Sequence, residues 1–235
     1  MPIVTANVDD LLTEKDRSVF TEHRSKKRSI YQKYIKRVID FTLALLLLIF
    51  VWPFLLVIFV LLRIKIGSPV MLQQRRPGFK GKPFAIYKFR TMTEERDSNG
   101  RLLPDEQRIT KVGGILRSFS LDELPEIFNV LRGEMSLIGP RPLMMQYLER
   151  YTPEQARRHE VMPGITGWVQ VNGRNTLTWE EKFSLDVWYV DHQSFLLDMR
   201  ILFTTAWKVL SREGISQEGF VAAEEFMGSP QKDSK

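Results

Sequence analysis

Asp122 and Glu123 are adjacent carboxylates, followed at once by Leu124-Pro125 and accompanied by arginines at positions 117, 141 and 174. Proline is tolerated in a helix's first turn, so a helix is expected to begin near Asp122. A carboxylate there faces unpaired backbone N–H groups and the positive end of the helix dipole, and should stay ionised. It can attack phosphorus, or hold a hard cation such as Mg2+ together with substrate phosphates. A structural role competes, because Ser120 and Glu123 also spell a capping box. Gly139-Pro140-Arg141-Pro142 fixes the backbone on both sides of one arginine. Its guanidinium then has little freedom to lose on gripping a phosphate, although the same residues also make a stiff turn. The third piece is Pro163-Gly164-Ile165-Thr166-Gly167 with Gln170, Asn172 and Arg174. Its glycines permit close backbone approach, and its polar side chains offer donors for phosphates, a base or a sugar. Each piece is weak alone; together they point to a phosphate-handling site.

The rest of the composition narrows the chemistry. The 235-residue chain has no cysteine and only three histidines (His23, His159, His192). Disulfides, thiolate metal sites, a cysteine nucleophile and a His-rich zinc site are thereby excluded. A net charge of +6 implies an anionic partner: nucleic acid, acidic lipid or a phosphorylated substrate.

The distribution of charge chooses among these. From Phe41 to Leu62 no residue is charged, a run long enough to cross a bilayer at roughly 33 Å. Lys and Arg crowd residues 24–37 before it, and Arg63, Lys65, Arg75 and Arg76 follow it. A basic cluster beside a bilayer-length apolar run fits anionic lipid better than nucleic acid. Positive flanks favour the cytoplasmic side, and here both ends want it. Pro53, near the middle, should kink a helix. A kinked hairpin that enters one leaflet and returns fits both facts; so does a Pro-kinked single crossing.

The elements around the carboxylates are legible from pattern. Val70–Gln74 and Pro83–Thr91 read as a hairpin, and residues 94–107 as a polar surface loop. Leu124, Ile127, Phe128 and Leu131 repeat at helical spacing up to Gly133. Thr152–Gln155 and Thr178–Glu181 are capping boxes. A final helix is expected from near Ser194 to Gly214. Trp168, Trp179, Trp188 and Trp207 fit helices lying at a membrane interface, or a plain aromatic core. The expected architecture is α+β: a polar, basic extension (1–32), a membrane-embedded helix (33–63), a small catalytic domain (64–220) and a disordered tail (221–235).

These pieces resemble the monotopic phosphoglycosyl transferases, bacterial sugar transferases that start glycan assembly on polyprenyl phosphate. The matching residues are KRVID (36–40), the Pro-interrupted apolar run, RPG (76–78), IYKFRTM (86–92), the block from Leu116 to Pro142, PGITGWVQVNGRN (163–175) and Tyr189–Leu202. Among the small stand-alone members, the diacetylbacillosamine 1-phosphate transferases look most similar. The resemblance implies that Asp122 is the nucleophile that attacks the β-phosphorus of a UDP-sugar and expels UMP. It implies that Glu123 assists the polyprenyl phosphate that attacks next, with Mg2+ held at Asp122. Arg117, Arg141, Arg174, Gln170 and Asn172 fall at positions for phosphate or nucleotide contacts. Pro53 matches the helix-breaking proline of a re-entrant hairpin, with Trp52 before it where relatives often carry Ser. The implied setting is the cytoplasmic face of the bacterial inner membrane, with a UDP-sugar, polyprenyl phosphate and anionic lipid as partners. Two readings compete: a glycosyltransferase that releases UDP, and a non-catalytic membrane scaffold.

Overall fold

A computed structural model describes residues 29–173, 176–211 and 225–229. The extension up to residue 28, Arg174 and the helix stop expected at Gly214 lie outside the described residues.

Helix α1 (Lys36–Lys65) follows a π-turn over Tyr31–Ile35 and runs through the whole apolar segment. Pro53 lacks an N–H, so the Ile49 carbonyl loses its helical partner. The chain nevertheless stays helical on both sides, and α1 is one element rather than two helices joined by a turn. Its most apolar window has a mean hydropathy of 3.2 and is only 17% buried, which excludes the core helix of a soluble domain. Phe50, Trp52 and Phe54, at its middle, are 74%, 55% and 67% exposed.

Both ends of α1 rest on the same domain. Ala44, with Leu43 and Leu48, joins a core that includes Ile127, Val130, Ile138, Tyr189 and Ile201. Ile58 and Leu62, with Leu55, join a second core containing Val70, Phe89 and Leu116. The start of the helix is pinned by buried charge. Lys36 Nζ lies 2.7 Å from Asp198 Oδ2 and 3.7 Å from Asp40 Oδ2. Asp40 accepts hydrogen bonds from Ser136 Oγ at 2.7 Å and from the Leu137 N–H at 3.2 Å. Tyr31 and Tyr189 donate their hydroxyls to Asp198. These partners explain how two carboxylates and an ammonium survive burial.

The domain is α+β, as the sequence pattern implied. Strands β1 (Met71–Pro77) and β2 (Pro83–Phe89) pair antiparallel, with Met71 opposite Phe89 and Pro77 opposite Pro83. The polar loop that follows carries one helical turn, α2 (Asp105–Arg108), and leads to α3 (Lys111–Ser118), whose N-cap Thr110 accepts from the Gly113 N–H. A 3-10 turn over Leu121–Glu123 precedes α4 (Glu126–Arg132), closed by Gly133 at φ 84°. Strands β3 (Ser136–Ile138) and β4 (Gly164–Thr166) form a two-stranded parallel sheet that the sequence pattern did not announce. Between them lie α5 (Pro153–Ala156), with its capping box of Thr152 and Gln155, and flanking 3-10 turns. Then come α6 (Trp168–Asn172), α7 (Trp179–His192), with its capping box of Thr178 and Glu181, and α8 (Phe195–Ser211).

The tryptophans divide. Trp168 stacks on Trp188 at 5.2 Å, and Trp179 packs in a third cluster with Tyr147, Tyr151 and Phe183. Trp207 instead stands 67% exposed on α8, beside Phe203 at 70%. The tail also departs from expectation: residues 225–229 are not detached, and Phe226 is buried in that third cluster.

Asp198→Ala should leave Lys36 buried without its nearest counter-charge and lower stability by about 3–5 kcal/mol. Chemical denaturation in detergent measures the loss.

Candidate active site

The two carboxylates singled out by the sequence sit on the 3-10 turn, ahead of the helix rather than inside it. The competing capping box of Ser120 and Glu123 does not form. Helix α4 starts at Glu126, and the Glu123 carboxylate turns away to two cations. Ser120 enters the turn with φ 54°, a left-handed conformation at the start of the turn that carries both acids. Leu121 and Leu124, on either side of the pair, pack in the same apolar cluster as Ile58 and Leu62 of α1. The depth of the carboxylates is therefore set by the apolar helix.

Glu123 is clasped. Arg141 Nη1 donates to Oε2 at 3.0 Å and its Nη2 donates to Oε1, a bidentate pair. Lys88 Nζ adds a third contact to Oε1 at 2.8 Å. These cations pull the Glu123 carboxyl far below the usual range against the opposing effect of burial. Lys88 also reaches Glu126 Oε1 at 3.3 Å. Glu126 is fully buried, and burial together with Glu123 pushes its pKa up to about 7.

Asp122 differs from its neighbour. Burial, reinforced by the Glu123 charge, raises its pKa, while Lys88 and Arg117 oppose the rise. The helix-end stabilisation expected from sequence is not what governs it; desolvation is. Among the described residues no side-chain hydrogen bond or ion pair is seen at its carboxylate, which takes a bond from its own backbone N–H, in contrast to the clasp on Glu123.

The arginines separate by task. Arg117 donates from Nε to Thr91 Oγ1 at 2.8 Å and contributes positive potential at Asp122. Arg141 keeps its aim because Pro140 and Pro142 flank it and its carbonyl accepts Arg158 Nη2 at 2.8 Å. Arg76 has its pKa lowered by burial and by the like charge of Arg141. Arg76, Lys88, Arg117 and Arg141 thus gather round two acids, a field suited to phosphate. Neither Lys88 nor Glu126 was singled out from sequence. The available signal was a lysine interrupting the apolar run of β2 and a glutamate on the inner face of α4.

The glycines of the third piece allow the close backbone approach that the sequence implied. A side chain on Gly164 would lie 2.1 Å from the Gly139 nitrogen, and one on Gly139 would lie 2.2 Å from the Met162 carbonyl oxygen. These glycines let the GPRP and PGITG segments touch backbone to backbone, with the Gly139 N–H donating to the Thr166 carbonyl at 2.8 Å. Gln170 keeps both side-chain polar atoms buried without a hydrogen-bond partner. Asn172 caps its own helix, donating to the Trp168 carbonyl at 2.7 Å.

Among the described residues no cluster of three or more metal-ligating side chains occurs. Mg2+ needs only one or two carboxylates when substrate phosphates complete its shell. Asp122 fits that part, whereas Glu123 is occupied by its cations.

The model of the bacterial sugar transferase family matches residues 31–212. The chain belongs to that family. It is 59% identical over 195 residues to the uncharacterized sugar transferase EpsL of Bacillus subtilis, covering 83% of this chain and 96% of that protein. It is 39% identical over 198 residues to the UDP-glucose:undecaprenyl-phosphate glucose-1-phosphate transferase of Xanthomonas campestris, covering 79% and 41%. It is 33% identical over 231 residues to the undecaprenyl-phosphate galactose phosphotransferase of Salmonella typhimurium, covering 91% and 48%. The chain spans less than half of the latter two. It is an enzyme of the phosphoglycosyl transferase family; none of these three names a diacetylbacillosamine substrate.

Glu126 sets a pH dependence. Its pKa is raised from 4.5 to about 7, so in that window the folded state holds a proton the unfolded state has released. Stability therefore falls as pH rises between those values. Glu123 acts oppositely, its contribution being lost below 4.5. Glu126→Gln should remove the first effect, so that the variant's melting temperature gains on the parent's as pH rises from about 5 to 7.

Proposed function

We propose that this protein transfers a sugar 1-phosphate from a UDP-sugar to undecaprenyl phosphate and releases UMP. The observation that carries the reading is the contrast between the two adjacent acids: one clasped by cations, the other open. The transferases of Xanthomonas campestris and Salmonella typhimurium are named for glucose and galactose transfer to this lipid, which supports the substrate class.

In this mechanism an Asp122 oxygen attacks the β-phosphorus of the donor. The bond between that phosphorus and the bridging oxygen breaks, and the electron pair leaves with UMP. An oxygen of the lipid phosphate then attacks the same phosphorus, and the bond to Asp122 breaks, returning the carboxylate. Arg141, Arg117 and Lys88 offset the negative charge that would otherwise repel an attacking carboxylate. A carboxyl held as low as that of Glu123 is a poor proton acceptor. Its part is to fix the two cations, not to act as a base. Mg2+, held by Asp122 and the donor phosphates, would supply further charge neutralisation and polarise the phosphoryl group.

The membrane placement follows from α1. A straight crossing would put its two ends on opposite sides of the bilayer, roughly 30 Å of hydrocarbon apart. Both ends pack on one domain, which supports a segment that dips into the leaflet and returns, with Pro53 at its exposed middle. With both flanks basic, that side is the cytoplasmic face of the inner membrane.

Asp122→Asn should lower UMP release by roughly a thousandfold or more. Incubated with labelled donor alone, the parent should retain a base-labile sugar phosphate at position 122. Release of UDP in place of UMP would instead establish an ordinary glycosyltransferase. Arg141→Lys keeps the charge but loses the bidentate clasp, and should cost about 10–100-fold in kcat/KM.

A further inference from the structure

Residues 225–229 lie past the stretch matched to the family, which ends at residue 212. Phe226 is nevertheless 2% exposed. Four rings enclose it: Phe183 at 4.8 Å, Tyr147 at 5.6 Å, Trp179 at 5.7 Å and Tyr151 at 5.9 Å between centroids. The rim of this socket is basic and polar. Arg150 Nη1 donates to Glu225 Oε1 at 2.8 Å and also to the Phe226 carbonyl, and Gln146 donates to Glu225. The Phe226 N–H donates to Tyr147 Oη at 3.2 Å, and Gln155 Nε2 donates to Ser229 Oγ at 2.7 Å. An apolar ring, a carboxylate and the backbone between them are each recognised, as in a peptide-binding site.

The inner wall of the socket leads to the active site. Tyr151, nearly parallel to Phe226 at 23°, accepts Arg158 Nη1 at 3.2 Å. Arg158 is 3% exposed, pairs with Asp186 at 2.7 Å and donates to the Arg141 carbonyl. Arg141 in turn clasps Glu123.

We propose that Glu225-Phe226 is a latch, docked in cis in an aromatic and basic socket, that positions Arg141 for donor phosphate through Tyr151 and Arg158. The site takes an acidic-aromatic peptide segment, and its occupant is the chain's own. The positioning part rests on the proposed function, because Arg141 is read there as offsetting the donor's negative charge.

The chain has no cysteine, so a Gln146→Cys, Glu225→Cys pair in the full-length protein reports docking directly. A short thiol-bridging bismaleimide, which spans the reach of the two side chains in contact there, should give an internally cross-linked monomer; a cross-linked dimer or no cross-link would overturn docking in cis. Calorimetric titration of full-length Phe226→Ala with UDP then separates positioning from folding. The dissociation constant should weaken about fivefold or more at unchanged stoichiometry. A synthetic peptide of residues 221–231 should restore it. Lower stoichiometry with an unchanged dissociation constant, or no change at all, overturns the positioning role. UDP binding by the parent without UMP release from any UDP-sugar counts against the proposed function alone.

Discussion

The site depends on one half-buried clasp, in which Arg141 and Lys88 converge on Glu123. Three separate pieces of chain meet there: the 3-10 turn, strand β2 and the proline-flanked segment after β3. Removing a cation would leave Glu123 charged in a half-buried place, so all three pieces are bound to keep their register. The clasp also decides the chemistry. By tying down Glu123, it leaves Asp122 as the acid beside a cluster of cations with no side-chain partner among the described residues. Two adjacent carboxylates thereby take different parts without any difference in their own chemistry.

A second constraint sets where that chemistry happens. Ile58 and Leu62 of α1 share an apolar cluster with Leu121 and Leu124, the residues on either side of the acid pair. At the other end of α1, Lys36 and Asp40 are locked to Asp198 and Ser136. Arg37 caps α4 by donating to the carbonyls of Val130 and Leu131. The apolar helix is thus built into the domain at both ends, and the acids cannot shift in depth without moving it.

Much of this was legible in the sequence because it rests on local physics. The hairpin of β1 and β2, the capping boxes at Thr152 and Thr178, and the stop at Gly133 follow from spacing and turn chemistry. The adjacency of Asp122 and Glu123 and the proline-flanked setting of Arg141 were visible in the sequence, but the pairing of Arg141 with Glu123 was not. What was not legible depends on contacts across the fold. Lys88 and Glu126 gain their meaning only when β2 lies against α4, and no pattern within either segment states that contact. The glycines of PGITG read as places of close backbone approach, but only the fold shows that what they approach is the backbone around Gly139. Phe226 sits in a polar stretch near the end of the chain, where composition argues for a loose tail. Only the distant rings of Tyr147, Tyr151, Trp179 and Phe183 give it a place.

The arrangement also accounts for why a membrane enzyme of this kind can hold its catalytic acids on a short turn rather than a long rigid element. A turn is precise only if its neighbours over-determine it. Here the left-handed Ser120 starts it, Leu121 and Leu124 anchor its apolar side on α1, and the two cations hold its polar side. In the proposed reaction the anionic donor would come from water and the lipid phosphate from the bilayer surface, and both would have to reach one phosphorus position. A turn with one face against the apolar helix and the other turned to the cations would present an Asp122 oxygen along that boundary. Both acids lie among the cations: Lys88 acts on each, with Arg117 at Asp122 and Arg141 at Glu123.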